Sequence, residues 1–263
     1  MLFFKLNEAD GKLRRYSILF VSTVIFAFVS YLASFFLFTL QTGLMSVFFT
    51  SCLLIPSVEF ILEKNKNDVW HKRQTPVLAN IDMICSLLVI FAAVILAFIV
   101  FVLYLPIETV EQIFFSQIHD TMTHTHLVNT SYQSILSQRI FEFFVFFIIS
   151  LIFRVGSIFI LVWIASIWGV VYGVYVKQGF QFDLPSIKHY AIVVGLSGFL
   201  VFVIRTLSFI TACMAGIFLS KSFVKYSFKS KEFQQVLGAV IAILAVSIAL
   251  LVIAVLGEHQ LYQ

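Results

Sequence analysis

Three histidines and an aspartate fall close together near the middle of the chain: His119, Asp120, His124 and His126. Imidazole nitrogens and a carboxylate are donors that zinc takes, so metal binding is the first chemistry these residue types suggest. Their spacing matches no known ligand pattern, and the run between them is rich in threonine, as in a loop. No metal and no other cofactor is expected. Cys52, Cys85 and Cys213 stand singly, without a C-x-x-C pair, and read as small buried residues. The sequence has no phosphate loop, no H-E-x-x-H and no G-x-S-x-G. The chain is expected not to be an enzyme.

Charge inside apolar sequence is the second chemical signal. Arg205 interrupts a greasy run as Val-Ile-Arg-Thr-Leu. An arginine at the centre of a membrane helix costs roughly 2.5–3.5 kcal/mol on insertion scales, so it must face protein or water and find a partner. Glu59 and Glu142 also lie within or beside apolar runs and are the expected partners. Such a set makes a polar pathway through a bundle, a docking charge or a structural pair.

These residues need elements to hold them, and the elements are membrane helices. Residues 16–40, 83–105 and 233–256 each run without a charge. A spanning helix takes about 20 predominantly apolar residues, because the hydrocarbon core is roughly 30 Å thick. Only helices and closed barrels satisfy their backbone there, and uniformly apolar runs do not alternate as barrel strands must. The composition agrees: 61% of residues are hydrophobic and 11% are charged, too few charges for a soluble fold. The fold class is all-α, a polytopic helical membrane protein, with residues 1–263 as one integral membrane domain in the cell membrane. The net charge of +4 is no nucleic-acid signature, and the lipid bilayer is the first partner. The first apolar run is too long for a signal peptide and reads as an uncleaved helix.

Orientation follows from the basic residues, which stay cytoplasmic when they flank short loops. Lys5, Lys12, Arg14 and Arg15 form one cluster, Lys64, Lys66, Lys72 and Arg73 a second, and Lys221, Lys225, Lys229 and Lys231 a third. Residues 63–80 and 220–232 are thus expected as cytoplasmic basic loops. Seven crossings fit, with the N-terminus inside and the C-terminus outside: 16–40, 44–62, 83–105, 140–156, 157–176, 191–219 and 233–257. A tight turn at Gln41-Thr42-Gly43 joins the first two, and Pro106 stops the third. Residues 106–139 form an extracytoplasmic helical segment, with Val110, Ile113, Phe114 and Ile118 as its apolar stripe and Asn129 in a glycosylation sequon. Within 140–210 a re-entrant element is the alternative: 140–176 reads as two crossings or as one plus a re-entrant hairpin, and Gly195–Gly198 marks a discontinuity.

Small residues recur every four positions at Ala165, Gly169 and Gly173, and again at Ser208, Ala212 and Gly216. Such faces let helix backbones approach closely in lipid. They make either an interface, with a homo-oligomer or other membrane or envelope proteins, or the packing of these two helices on each other.

The order of segments resembles the stage II sporulation protein M family. Leu44-Met-Ser-Val-Phe-Phe-Thr-Ser-Cys-Leu-Leu-Ile-Pro56, followed by Glu63-Lys-Asn-Lys, is similar to its second helix and first cytoplasmic loop. Residues 114–122 resemble its glutamine-rich outer helix. The clearest likeness is in 154–173, where Gly156, Trp163, Ala165, Ser166 and Gly169 match a glycine, an apolar run and a Trp-x-Ala-Ser-x-x-Gly core. Ile164 stands where the family has asparagine, the family's Gly-x-Pro-Glu is missing near Gly195-Leu-Ser-Gly198, and Arg205 replaces a small apolar residue. The resemblance implies a non-enzymatic membrane scaffold. Its namesake works with cell-wall hydrolases and helps membrane migrate during engulfment, which makes envelope remodelling the nearest analogy. The competing expectation, from Arg205 and Glu59, is a transporter, channel or permease subunit.

Overall fold

The computed structural model of the chain describes residues 12–39, 41–71, 76–118, 132–181 and 185–261. Among the described residues these elements follow in order: α1 (Lys12–Leu37), α2 (Thr42–His71), α3 (Pro76–Tyr104), α4 (Ile107–Ile113), α5 (Tyr132–Phe153), the 3-10 turn Arg154–Ser157, α6 (Ile158–Gln181), α7 (Pro185–Lys225) and α8 (Lys231–Leu261), with a further helical stretch at 115–118. No strand occurs among the described residues. Seven of these helices are long and apolar enough to cross a bilayer: Leu13–Leu37, Thr42–Glu63, Ile81–Tyr104, Tyr132–Phe153, Ile158–Lys177, Leu200–Val224 and Phe233–Gln260. The chain is a polytopic helical membrane protein.

The helices outrun the apolar stretches. Segment 63–80, expected as a loop, is helical to His71 and again from Pro76. Lysine and glutamate favour helix in water as well as at an interface, so α2 continues past the point where lipid would stop tolerating it. Segment 220–232 is likewise helical up to Lys225 and from Lys231. Of segment 106–139, α4 and 115–118 are helical, and 132–139 already belongs to α5. The region 140–176 is two helices, joined by the 3-10 turn. Arg154 takes a left-handed φ of 51° there, which an L residue adopts at a cost and which breaks the helix without a glycine. The backbone does not break at Gly195–Gly198: α7 is one helix of 41 residues. At 1.5 Å per residue it is about 60 Å long, twice the hydrocarbon thickness.

The chain divides into two compact units. One comprises Met1–His126 and Ile158–Phe182, the other Leu127–Ser157 and Asp183–Gln263. The division arises because α6 packs on α3, far back in the chain.

In the first unit α1 and α3 run parallel. Arg15 and Tyr16 bond Asp82 at one end, the Tyr16 hydroxyl donating at 2.6 Å. Farther along, Tyr31 stacks on Phe101 with centroids 4.4 Å apart. α2 returns antiparallel to α1. The turn begins as Phe38 donates to the Ser34 carbonyl at 2.8 Å, and the Thr42 hydroxyl caps the Phe38 carbonyl at 2.8 Å. Gly43 sits against α4: a Cβ there would lie 2.5 Å from the Ile113 carbonyl oxygen. Pro106 ends α3 as expected and its carbonyl accepts from Val110 at 3.0 Å, starting α4. Protein covers most of the apolar stripe, with Ile118 half-buried. Val110, Ile113 and Phe114 are buried, and the Phe114 ring packs against Tyr31 and Phe98.

In the second unit α5 and α7 run parallel and α8 antiparallel to both. The Phe146 and Phe209 rings stack at 4.7 Å. Arg154 Nε donates to Ser220 Oγ at 3.2 Å, which ties the end of α5 to α7. α8 starts at an N-cap, with Ser230 Oγ accepting from the Phe233 N–H at 3.1 Å.

Candidate functional site

The deepest charges of the second unit converge on one level of its three helices. Arg205 of α7 donates from Nη1 to Glu258 Oε1 at 2.6 Å. Arg139 of α5 donates from Nη2 to the same Oε1 at 2.8 Å and from Nε to Oε2 at 3.1 Å. Its Nη1 reaches both oxygens of Glu142, at 2.8 and 3.0 Å. Two guanidinium groups thus face two carboxylates, and the formal charge of the set is zero. Arg205 and Glu258 are 10% and 9% exposed, against 28% for Glu142, so the pair at the centre is the one removed from solvent. The Phe202 ring lies under the Arg205 guanidinium, 5.8 Å away.

The sequence-expected partners fare differently. Glu142 belongs to the network, but through Arg139. Glu59 does not: it lies on an exposed face of α2, one turn from the end of the apolar span. Glu258 was not foreseen. Its signal was a carboxylate directly after the last apolar run, which fits a partner for Arg205 once α8 is antiparallel to α7. Arg205 stands near the middle of α7, which runs Pro185–Lys225, and meets Glu258 near the C-terminal end of α8.

Below the charges lies a tier of hydroxyls. Ser208 Oγ donates to the Ser247 carbonyl at 2.8 Å, and the Ser247 and Thr211 hydroxyls are 2.7 Å apart. These bonds satisfy side chains that lipid could not.

Each small-residue ladder is used within its own unit. Ala165, Gly169 and Gly173 are buried, and the two glycines admit α3: a Cβ on Gly169 would lie 2.6 Å from Phe98 Cβ and 2.8 Å from the Ile95 carbonyl, and one on Gly173 2.7 Å from Val102 Cβ. Just beyond, Lys177 donates to the carbonyls of Val102 (3.0 Å) and Leu105, closing the C-terminal end of α3. Ser208, Ala212 and Gly216 face α5 and α8. A Cβ on Gly216 would meet the Phe147 carbonyl at 2.6 Å. Of the family-like residues, Ser166 is fully buried and donates to the Trp163 carbonyl at 2.7 Å, and Gly156 sits in the 3-10 turn.

The arrangement holds charge in place. It sets no nucleophile beside a base. Among the described residues no three of His, Cys, Asp and Glu gather as metal ligands. His119, Asp120, His124, His126 and Asn129 lie outside the described residues. The three cysteines are free thiols; Cys213 is buried as expected, but Cys85 is half-buried and Cys52 exposed, on a face of α2 that the rest of the chain leaves uncovered. No protein-family model, curated protein or solved structure matches the chain.

Proposed function

We propose that this protein is a non-enzymatic scaffold of the cell membrane, a component of a membrane- or envelope-remodelling complex, as the resemblance to the stage II sporulation protein M family implies. One observation carries the reading. Three arginines within the spans are matched by carboxylates of the same chain: buried Arg205 and half-buried Arg139 by Glu258 and Glu142, and half-buried Arg15 by Asp82. Charge spent on holding helices together supports a fixed framework. The large apolar side chains left exposed, such as Phe141 and Phe144 on α5 and Ile241 and Ile248 on α8, leave wide surfaces for lipid or for neighbouring membrane proteins.

A transporter with a polar pathway near Arg205 is the second reading, favoured by the same four charges at one level. Cysteine accessibility separates the two. Ser208→Cys, with the native cysteines replaced by alanine, lies one tier beyond Arg205. The scaffold predicts complete protection from a water-borne maleimide in native membranes. Rapid labelling would favour the pathway. Cross-linking in the membrane should also join the scaffold to a second polypeptide, and a lone monomer that sustains its cellular role would overturn it.

A further inference from the structure

The end of the second unit opposite the charge network carries a different pattern. The apolar span of α7 ends at Val224 and that of α8 begins at Phe233, so 225–232 falls between two candidate membrane spans, where a bilayer surface is expected. The turn itself is short: Tyr226 N–H bonds the Ser222 carbonyl at 3.0 Å, and Ser230 N–H bonds the Ser227 carbonyl at 2.9 Å. Four lysines crowd around it in the sequence, Lys221, Lys225, Lys229 and Lys231, with Glu232 as the one acid between 221 and 232. Lys229 and Lys231 are exposed.

Three rings gather at the same place. Phe223, Phe228 and Phe233 lie with centroids 5.3 to 5.8 Å apart, a closed triangle. Phe233 is buried in this cluster, but Phe228 is 68% exposed. A phenylalanine propped outward at the tip of a turn between two spans is costly in water and at home at the boundary of headgroups and acyl chains.

We propose that the α7–α8 turn binds the phosphate headgroups of anionic phospholipids, with Lys229 and Lys231 as the phosphate contacts and the three phenylalanines as the seat for the upper acyl chain. The occupant follows from charge complementarity and position. The turn is too short to leave the surface, Lys229 and Lys231 are exposed positive charges on it, and the anions always within its reach are lipid phosphates. Juxtamembrane lysines attract anionic lipid in this way. The inference needs only a membrane-embedded chain and does not rest on the scaffold reading.

The test uses the full chain, purified in detergent and offered phosphatidylglycerol and phosphatidylcholine of equal acyl length in equal amounts, with retained lipid counted by native mass spectrometry. Wild type should retain phosphatidylglycerol in preference. The K229Q/K231Q variant should lose about fivefold of that preference per lysine, roughly 25-fold in all, and K229R/K231R should keep it. Equal retention of the two lipids by wild type, or an unchanged preference in K229Q/K231Q, overturns the proposal. A second measurement needs no variant. The wild-type preference should collapse as ammonium acetate rises from about 0.01 M to about 1 M, where the screening length falls from roughly 30 to roughly 3 Å. A preference that survives high salt also overturns it.

Discussion

Glu258 holds two arginines from two different helices: its Oε1 accepts from Arg205 at 2.6 Å and from Arg139 at 2.8 Å. One carboxylate at the end of α8 therefore fixes the level of α5 and α7 together. Removing it strands positive charge in a buried place, whereas removing a charge with its partner does not. Glu258→Gln should cost about 3 kcal/mol of stability. The double variant Arg205→Met/Glu258→Leu should recover at least half of that, because Arg139 and Glu142 remain as a neutral pair. Thermal unfolding in detergent measures both, and a double variant whose loss equals the sum of the single losses would show that the two residues are not coupled.

Gly169 and Gly238 make a controlled pair. The first is wedged against Ile95 and Phe98, while a Cβ on the second would meet nothing within 4 Å. Gly169→Ala should overpack the α3–α6 contact and destabilise by about 1–3 kcal/mol. Gly238→Ala, in an open position, should be neutral or gain up to about 1 kcal/mol from helix propensity. Oligomeric state should be the same in both. A change of mass in light scattering with Gly169→Ala, at unchanged stability, would return the first ladder to the role of an interface between chains.

Much of this fold was legible because lipid imposes a simple rule. Length and apolarity locate every span, and Pro106 ends α3 where it should. Parity also agrees within each unit, since α1 and α3 run parallel, as do α5 and α7. What stayed hidden was pairing. A four-residue period shows that Gly169 and Gly216 face something close, but not which helix, because the face of the recipient carries Phe98 or Ser150 and has no period of its own. Glu59 misled for a related reason. Apolar neighbours in sequence do not make a residue buried, and the exposed face of α2 near its charged end tolerates a carboxylate. The helices of water-facing flanks, such as 63–71, were missed because hydropathy reports where lipid is acceptable, not where the backbone stays coiled.

Lys177 caps α3 from α6. Its ammonium sits at the carbonyls of Val102 and Leu105, where the helix dipole is negative. Lys177→Met keeps the aliphatic stem and removes the donor. It should cost about 1 kcal/mol and speed amide exchange in the last turn of α3, with α1 unaffected. Unchanged exchange there would mean that the carbonyls are served equally well without the lysine.

Orientation follows from charge, and the two units make it testable with two positions. Glu111 on α4 and Ser227 in the α7–α8 turn are both exposed. Three candidate spans, in α5, α6 and α7, lie between them in the chain, which predicts opposite sides of the membrane. The positive-inside rule predicts the cytoplasm for the side that carries the lysines around Ser227. With the native cysteines replaced, Glu111→Cys should react with an impermeant maleimide in intact cells, and Ser227→Cys only after the membrane is opened. The reverse pattern inverts the protein. Labelling of both in intact cells is the more damaging result, since an even number of crossings between them would mean that one of the three helices dips into the bilayer and returns.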